Sequence, residues 1–109
     1  MTGARVVLTS VGSQEQAEQL ASALVERSFA ACVNIVGPIR SIYRWKDKVV
    51  NEPEYLLLIK TSAERSADLA AALSELHPYE LPERIELEIA DGSSQYLSWV
   101  FQQVEREAQ

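Results

Sequence analysis

Apolar residues along this chain recur at intervals of two in some stretches and of three to four in others, and each switch of period marks an element. Arg5 to Thr9 is β-branched and apolar enough for a buried strand. Ser13 to Gln16 then has the form of a capping box, the Ser13 and Gln16 side chains each satisfying a first-turn backbone donor. Ala17, Leu20, Ala21, Leu24 and Val25 follow at helical spacing, with Glu18, Gln19, Glu26 and Arg27 elsewhere, which predicts a helix with one apolar stripe against a sheet. Residues 32 to 60 read as a long β-hairpin: Cys32 to Val36, a Gly37-Pro38 bend or bulge, Ile39 to Trp45, a Lys46-Asp47-Lys48 turn, and Val49 to Lys60, with a second bend expected at Pro53. Thr61-Ser62 offers an N-cap for a second helix with Leu69, Ala70, Leu73 and Leu76 as its stripe, stopped by Pro78. Between residues 83 and 90, Ile85, Leu87 and Ile89 alternate with Arg84, Glu86 and Glu88, a strand with one apolar and one wet face. Asp91-Gly92 is a turn, and Ser93 or Ser94 caps a final helix with Leu97, Val100, Phe101 and Val104 on its stripe.

The resulting order is β, α, long β-hairpin, α, β, plus a C-terminal helix: an α+β fold of the ferredoxin-like split βαβ class, in one domain covering residues 1–109. The hairpin is too long for such a domain. Fifteen residues from Cys32 to Lys46 at about 3.4 Å each reach roughly 50 Å, while a globule of this size measures only about 35 Å across. The outer ribbon therefore projects or bends, and with Ile42, Tyr43 and Trp45 on it the expectation is burial against another copy of the chain. The sheet face not covered by the first two helices gives the same expectation independently.

Composition narrows the partners. A net charge of −6 repels polyphosphate, so nucleic acid is not expected, and no apolar run approaches membrane-spanning length. A single cysteine and no basic-then-apolar leader suggest a reducing cytoplasm. Glycine-rich phosphate loops, nucleophile elbows and paired-cysteine zinc motifs are all missing from the sequence, so the reading assigns no catalytic residue and no enzymatic activity.

The chemistry-bearing side chains worth weighing are Thr9, Cys32, Glu54, Lys60, His77, Tyr79, Tyr96 and Trp99. Cys32, within Ala30-Ala31-Cys32-Val33, is either a buried inert thiol or a soft-metal ligand. His77, the lone histidine, either interacts with the helix end before it or ligates a metal with help from cysteine or carboxylate. Arg40, Arg44, Lys46 and Lys48 make the ribbon the most basic stretch of an acidic chain, read as charged arms that discourage edge aggregation or as an anion site. Tyr43 and Trp45 read as interface anchors ahead of a base-stacking platform.

Five blocks in order, Ala31-Cys32-Val33-Asn34-Ile35, Ser41 to Lys46, Leu58-Ile59-Lys60-Thr61, His77 to Glu83 and Tyr96-Leu97-Ser98-Trp99, resemble the CutA family of divalent-cation tolerance proteins, over about Val6 to Val100. The resemblance implies a ferredoxin-like subunit, a cytoplasmic homotrimer similar in architecture to the PII signalling proteins, and a role in tolerance or homeostasis of copper or other divalent metals. It also implies that the hairpin turn, often glycine in the family, carries Asp47 here, and that the family's proposed copper positions correspond to Thr9, Leu76 and His77. Only His77 keeps a ligating side chain, so copper or another divalent cation would be held by His77, with Cys32 and groups from a neighbouring subunit. No metal is expected to be needed for folding. The rival reading is a PII-like small-molecule sensor whose pocket, at a subunit interface, is lined by Lys60, Tyr79, Tyr96 and Trp99. A third makes Cys32 or a carboxylate catalytic, which requires a base within hydrogen-bond reach.

Overall fold

The computed structural model describes residues 2–106. Strand β1 (Ala4–Val11) leads into helix α1 (Gln14–Glu26), then the ribbon of β2 (Cys32–Trp45) and β3 (Lys48–Ser62). A 3-10 turn (Ala63–Arg65) leads to helix α2 (Ser66–Leu76), followed by strand β4 (Ile85–Glu88) and helix α3 (Ser94–Gln103). The four strands form one antiparallel sheet in the order β2-β3-β1-β4, the topology expected of the split βαβ fold.

Local chemistry accounts for the element ends. Ser13 Oγ accepts from the Gln16 N–H at 3.1 Å and starts α1, and Ser93 Oγ accepts from the Tyr96 N–H at 3.4 Å and starts α3. Ser62 caps the 3-10 turn by accepting from the Arg65 N–H, so the predicted cap begins that turn, and α2 follows without a side-chain cap of its own. At the hairpin tip, Lys46 and Asp47 have φ of 50° and 67°, the two-residue turn with both centres left-handed that matches ribbon twist.

The core lies between the sheet and its first two helices. Val7, Val11, Leu57 and Ile59 of the sheet pack against Leu20 and Leu24 of α1 and Leu69 and Leu73 of α2. Helix α3 packs on the opposite face, where Val100 and Val104 close on Ala31 and Cys32. That cover is partial. Beyond it, Ile85 and Leu87 of β4 remain 48% and 47% exposed, so the apolar side of β4 lines an open face. β4 is also shorter than the predicted 83–90 strand, pairing with β1 only from Arg5 to Leu8.

The bend expected at Gly37-Pro38 is a bulge. Val36 pairs with Leu56 and Ile39 with Glu54, leaving Gly37 and Pro38 together opposite Tyr55, across a cis peptide bond. A Cβ on Gly37 would lie 2.5 Å from Tyr55 Cδ2, which explains glycine there. No second bend occurs at Pro53, which pairs in register with Arg40 within a continuous β3. Past Tyr55, β3 has lost β1 as a neighbour, and a missing backbone donor is tolerated on that open edge. The ribbon projects as its length requires: the molecule measures 46 × 29 × 21 Å, with a radius of gyration of 14.6 Å against about 13 Å for a compact chain of this length. Ile42 and Val49, near the tip, are each 66% exposed.

Candidate functional site

Strand alternation places Lys60, Leu58, Leu56 and Glu54 of β3 on the open face. Its two ends carry different chemistry. At one end Cys32 pairs with Lys60 across the β2–β3 ladder, the Cys32 thiol lies 3.8 Å from Asn34 Oδ1, and Lys60 Nζ donates to the same Asn34 oxygen. Tyr96 and Trp99, three residues apart on α3, stack at a tilt with ring centroids 5.7 Å apart. Burial raises the Tyr96 pKa, with a further upward push from the neighbouring Cys32. Cys32 is half-buried, so the expectation of a fully buried cysteine gives way: it packs at the rim of the small cluster in which Ala31, Val100 and Val104 are buried.

At the other end the segment after α2 folds back over β1. β4 stops pairing at Leu8, so the Ser10 carbonyl lacks a strand partner on that side, and His77 takes the place: Nε2 lies 2.9 Å from Ser10 O. The Tyr79 N–H donates to His77 Nδ1 at 3.1 Å. These two partners assign the tautomer, with the proton on Nε2 and a neutral ring. Burial pushes the His77 pKa below its ordinary value, outweighing the upward pulls of the Ser10 carbonyl and Glu54.

From this loop the Tyr79 hydroxyl donates to Glu54 Oε2 at 2.6 Å, while the Ser10 hydroxyl donates to Oε1 at 3.4 Å. Glu54 is only 7% exposed and has no ion-pair partner among the described residues. Burial, then the Glu54 bond and charge, drive the Tyr79 pKa well above the usual phenol range. Tyr43, which donates to Glu52 at 3.4 Å, is raised by desolvation and then by Glu52 and Glu54. Between the loop and the ribbon opens a cleft of about 760 Å³ lined by Ser41, Ile42, Tyr43, Trp45, Glu52, Glu54, Pro78, Tyr79, Glu80, Leu81 and Glu83. Among the described residues, four carboxylates line it and no lysine or arginine does.

Within one protomer the sequence-predicted residues therefore divide. Lys60, Tyr96, Trp99 and Cys32 gather at the α3 end, while His77, Tyr79 and Glu54 gather at the loop end, six strand residues or about 20 Å away. Thr9 is buried on the helix-facing side, its hydroxyl without a hydrogen-bond partner among the described residues. No cluster of three or more histidine, cysteine or acidic side chains suited to a metal occurs among the described residues. Sequence reading passed over Ser10, Asn34 and Glu52. For Glu52 and Glu54 the signal was there: two carboxylates at a spacing of two, in line with Leu56 and Leu58 on one strand face.

A family model described as CutA1 divalent ion tolerance protein matches residues 5–103. The divalent-cation tolerance protein CutA of Thermus thermophilus is 48% identical over 95 residues, 87% of this chain and 92% of that protein. A CutA homolog of Xenopus laevis is 45% identical over 84 residues, and there the match spans 77% of this chain and only 56% of the relative. The solved structure of the PII-like protein CutA from Nostoc sp. PCC 7120, in apo form, superposes with a TM-score of 0.87 at 36% identity, covering 93% of this chain and 97% of that one. On this sequence match and this shared fold, the chain belongs to the CutA1 divalent ion tolerance family.

Proposed function

We propose that this chain works as a non-enzymatic homotrimer in divalent-cation tolerance, in the cytoplasm, folding without metal around its apolar core. The observation that carries the assembly is the uncovered apolar surface, Ile85 and Leu87 on the open sheet face and Ile42, Tyr43, Trp45 and Val49 on the ribbon. Light scattering at micromolar concentration is expected to give three times the 12.2 kDa chain mass. A species of 12.2 kDa under those conditions overturns the assembly.

Contact with copper or another divalent cation is assigned to His77, with Cys32 from another copy. Both His77 ring nitrogens are engaged, so a metal there displaces either the Ser10 carbonyl or the Tyr79 N–H and loosens the loop. Titration with Cu(II) and Cu(I) is expected to show binding that His77→Ala abolishes and Cys32→Ser weakens. Equal binding in all three proteins, or none in the wild type, removes direct coordination and leaves the tolerance role indirect.

The Tyr96–Trp99 stack, at the same end of the open face as Cys32 and its strand partner Lys60, favours a second reading, a PII-like sensor. In it Tyr79 from one copy joins Lys60, Tyr96 and Trp99 from another around a small molecule. A thermal-shift screen of nucleotides and organic anions tests it. A ligand at 100 times its dissociation constant adds about 2.7 kcal/mol of stability, and a flat response across the screen rejects it.

A further inference from the structure

The cleft between the ribbon and the 77–83 loop joins two chemistries on its walls, carboxylates and aromatic rings. Glu54 is 7% exposed, whereas Glu52, Glu80 and Glu83 are open to solvent, and none of the four makes an ion pair among the described residues. A carboxylate taken out of water is stable when a cation or a full set of donors meets it, and Glu54 has two hydroxyls, one of them at 3.4 Å. Its charge is unmatched. Tyr43, Trp45 and Tyr79 put aromatic rings on the same walls, and such rings attract ammonium groups. The chain's own Lys46 shows that attraction at the edge of the cleft: Nζ lies over the Trp45 ring, 5.9 Å from its centroid. A compact divalent ion fits this set poorly, because it needs several oxygens at one point, and no group of three or more histidine, cysteine or acidic side chains able to hold one occurs among the described residues.

We propose that this cleft binds a linear aliphatic polyamine, one ammonium group meeting Glu54, the others meeting the exposed carboxylates, and the methylenes between them lying against the aromatic rings. Spread carboxylates suit spread charge. A single ammonium would satisfy Glu54 alone, while a chain of ammonium groups joined by methylenes answers the acidic and the apolar parts of the wall at once. A cleft of about 760 Å³ admits such a chain with water beside it. The pKa values of Tyr43 and Tyr79, raised first by desolvation and then by the acids beside them, agree with a negative field that draws a polycation in. Every residue of the site lies within one chain, so the inference goes beyond the tolerance, trimer and sensor readings and rests on none of them.

Isothermal titration of the full chain at low salt with spermidine, putrescine and butylamine tests this. Affinity is expected to fall in that order, with spermidine at least tenfold tighter than butylamine. Glu54→Gln keeps an acceptor for the Tyr79 hydroxyl while removing the charge, and is expected to weaken spermidine binding at least tenfold. Glu80→Gln with Glu83→Gln, at exposed loop positions that leave the core untouched, is expected to do the same and decides the matter if the Glu54 variant does not fold. Glu26→Gln with Glu64→Gln removes the same charge from exposed positions outside the cleft, and is expected to change affinity less than twofold. Equal losses in the two double variants mean diffuse attraction to an acidic protein and overturn the site. Absence of spermidine binding at millimolar concentration overturns it too, as does a folded Glu54→Gln chain that binds like wild type. Displacement of spermidine by an equimolar amount of magnesium chloride identifies a metal ion as the occupant and also overturns the inference.

Discussion

At Glu54 a carboxylate sits out of water with hydroxyls as its donors, and Tyr79→Phe removes the shorter of the two bonds. That variant is expected to lose about 1–3 kcal/mol in urea unfolding, the cost of leaving a buried acceptor unsatisfied. Neighbouring His77 sets a pH dependence. Its pKa lies below the ordinary value of 6.5 in the folded chain, so below that pH the unfolded chain binds more protons. Its contribution is therefore complete above about pH 6.5 and is lost as the pH falls. The urea midpoint is expected to drop between pH 7 and 5.5 and to drop less in His77→Gln; equal slopes reject the assignment. The residue types were legible in the sequence, but their partners were not. Of its two readings there, ligand and helix-end cation, the neutral ring removes the second, and its partner, the Ser10 carbonyl that β4 leaves unpaired, was not visible in the sequence.

Each end of the ribbon is under local conformational control. Gly37→Ala drives a Cβ into the Tyr55 ring and is expected to cost about 1–3 kcal/mol, read from the urea midpoint, because overpacking shifts the ring or the strand. The tip has room to improve: with both centres left-handed, Lys46→Asn with Asp47→Gly is expected to stabilise the chain by about 1 kcal/mol, since non-glycine residues are disfavoured there. Hairpin, helices and caps were legible because period and turn chemistry are local. β4 was overestimated because beyond Leu8 His77 takes the Ser10 carbonyl on the edge of β1, and Pro53 was misjudged as a bend because it lies past the end of β1; a strand's neighbour lies outside its own sequence.

For the whole molecule, the 46 Å long axis and the open sheet face are the features on which the proposed assembly rests. Trp45→Ala is expected to weaken the proposed trimer by about 2 kcal/mol, roughly thirtyfold in dissociation constant, measured by sedimentation; unchanged association removes Trp45 as an anchor. The alternation of apolar and polar residues along the chain was enough to determine element order, the ferredoxin-like class and a ribbon too long for its domain, since each follows from spacing and chain length alone. Tertiary structure decided the rest. Register placed Lys60, Tyr96 and Trp99 at one end of the open face and Glu54, His77 and Tyr79 at the other, and left Glu54 buried with no ion-pair partner among the described residues. Such pairings join residues as far apart as Ser10 and His77, and only the folded sheet determines which side chains, remote in the chain, come within hydrogen-bond distance.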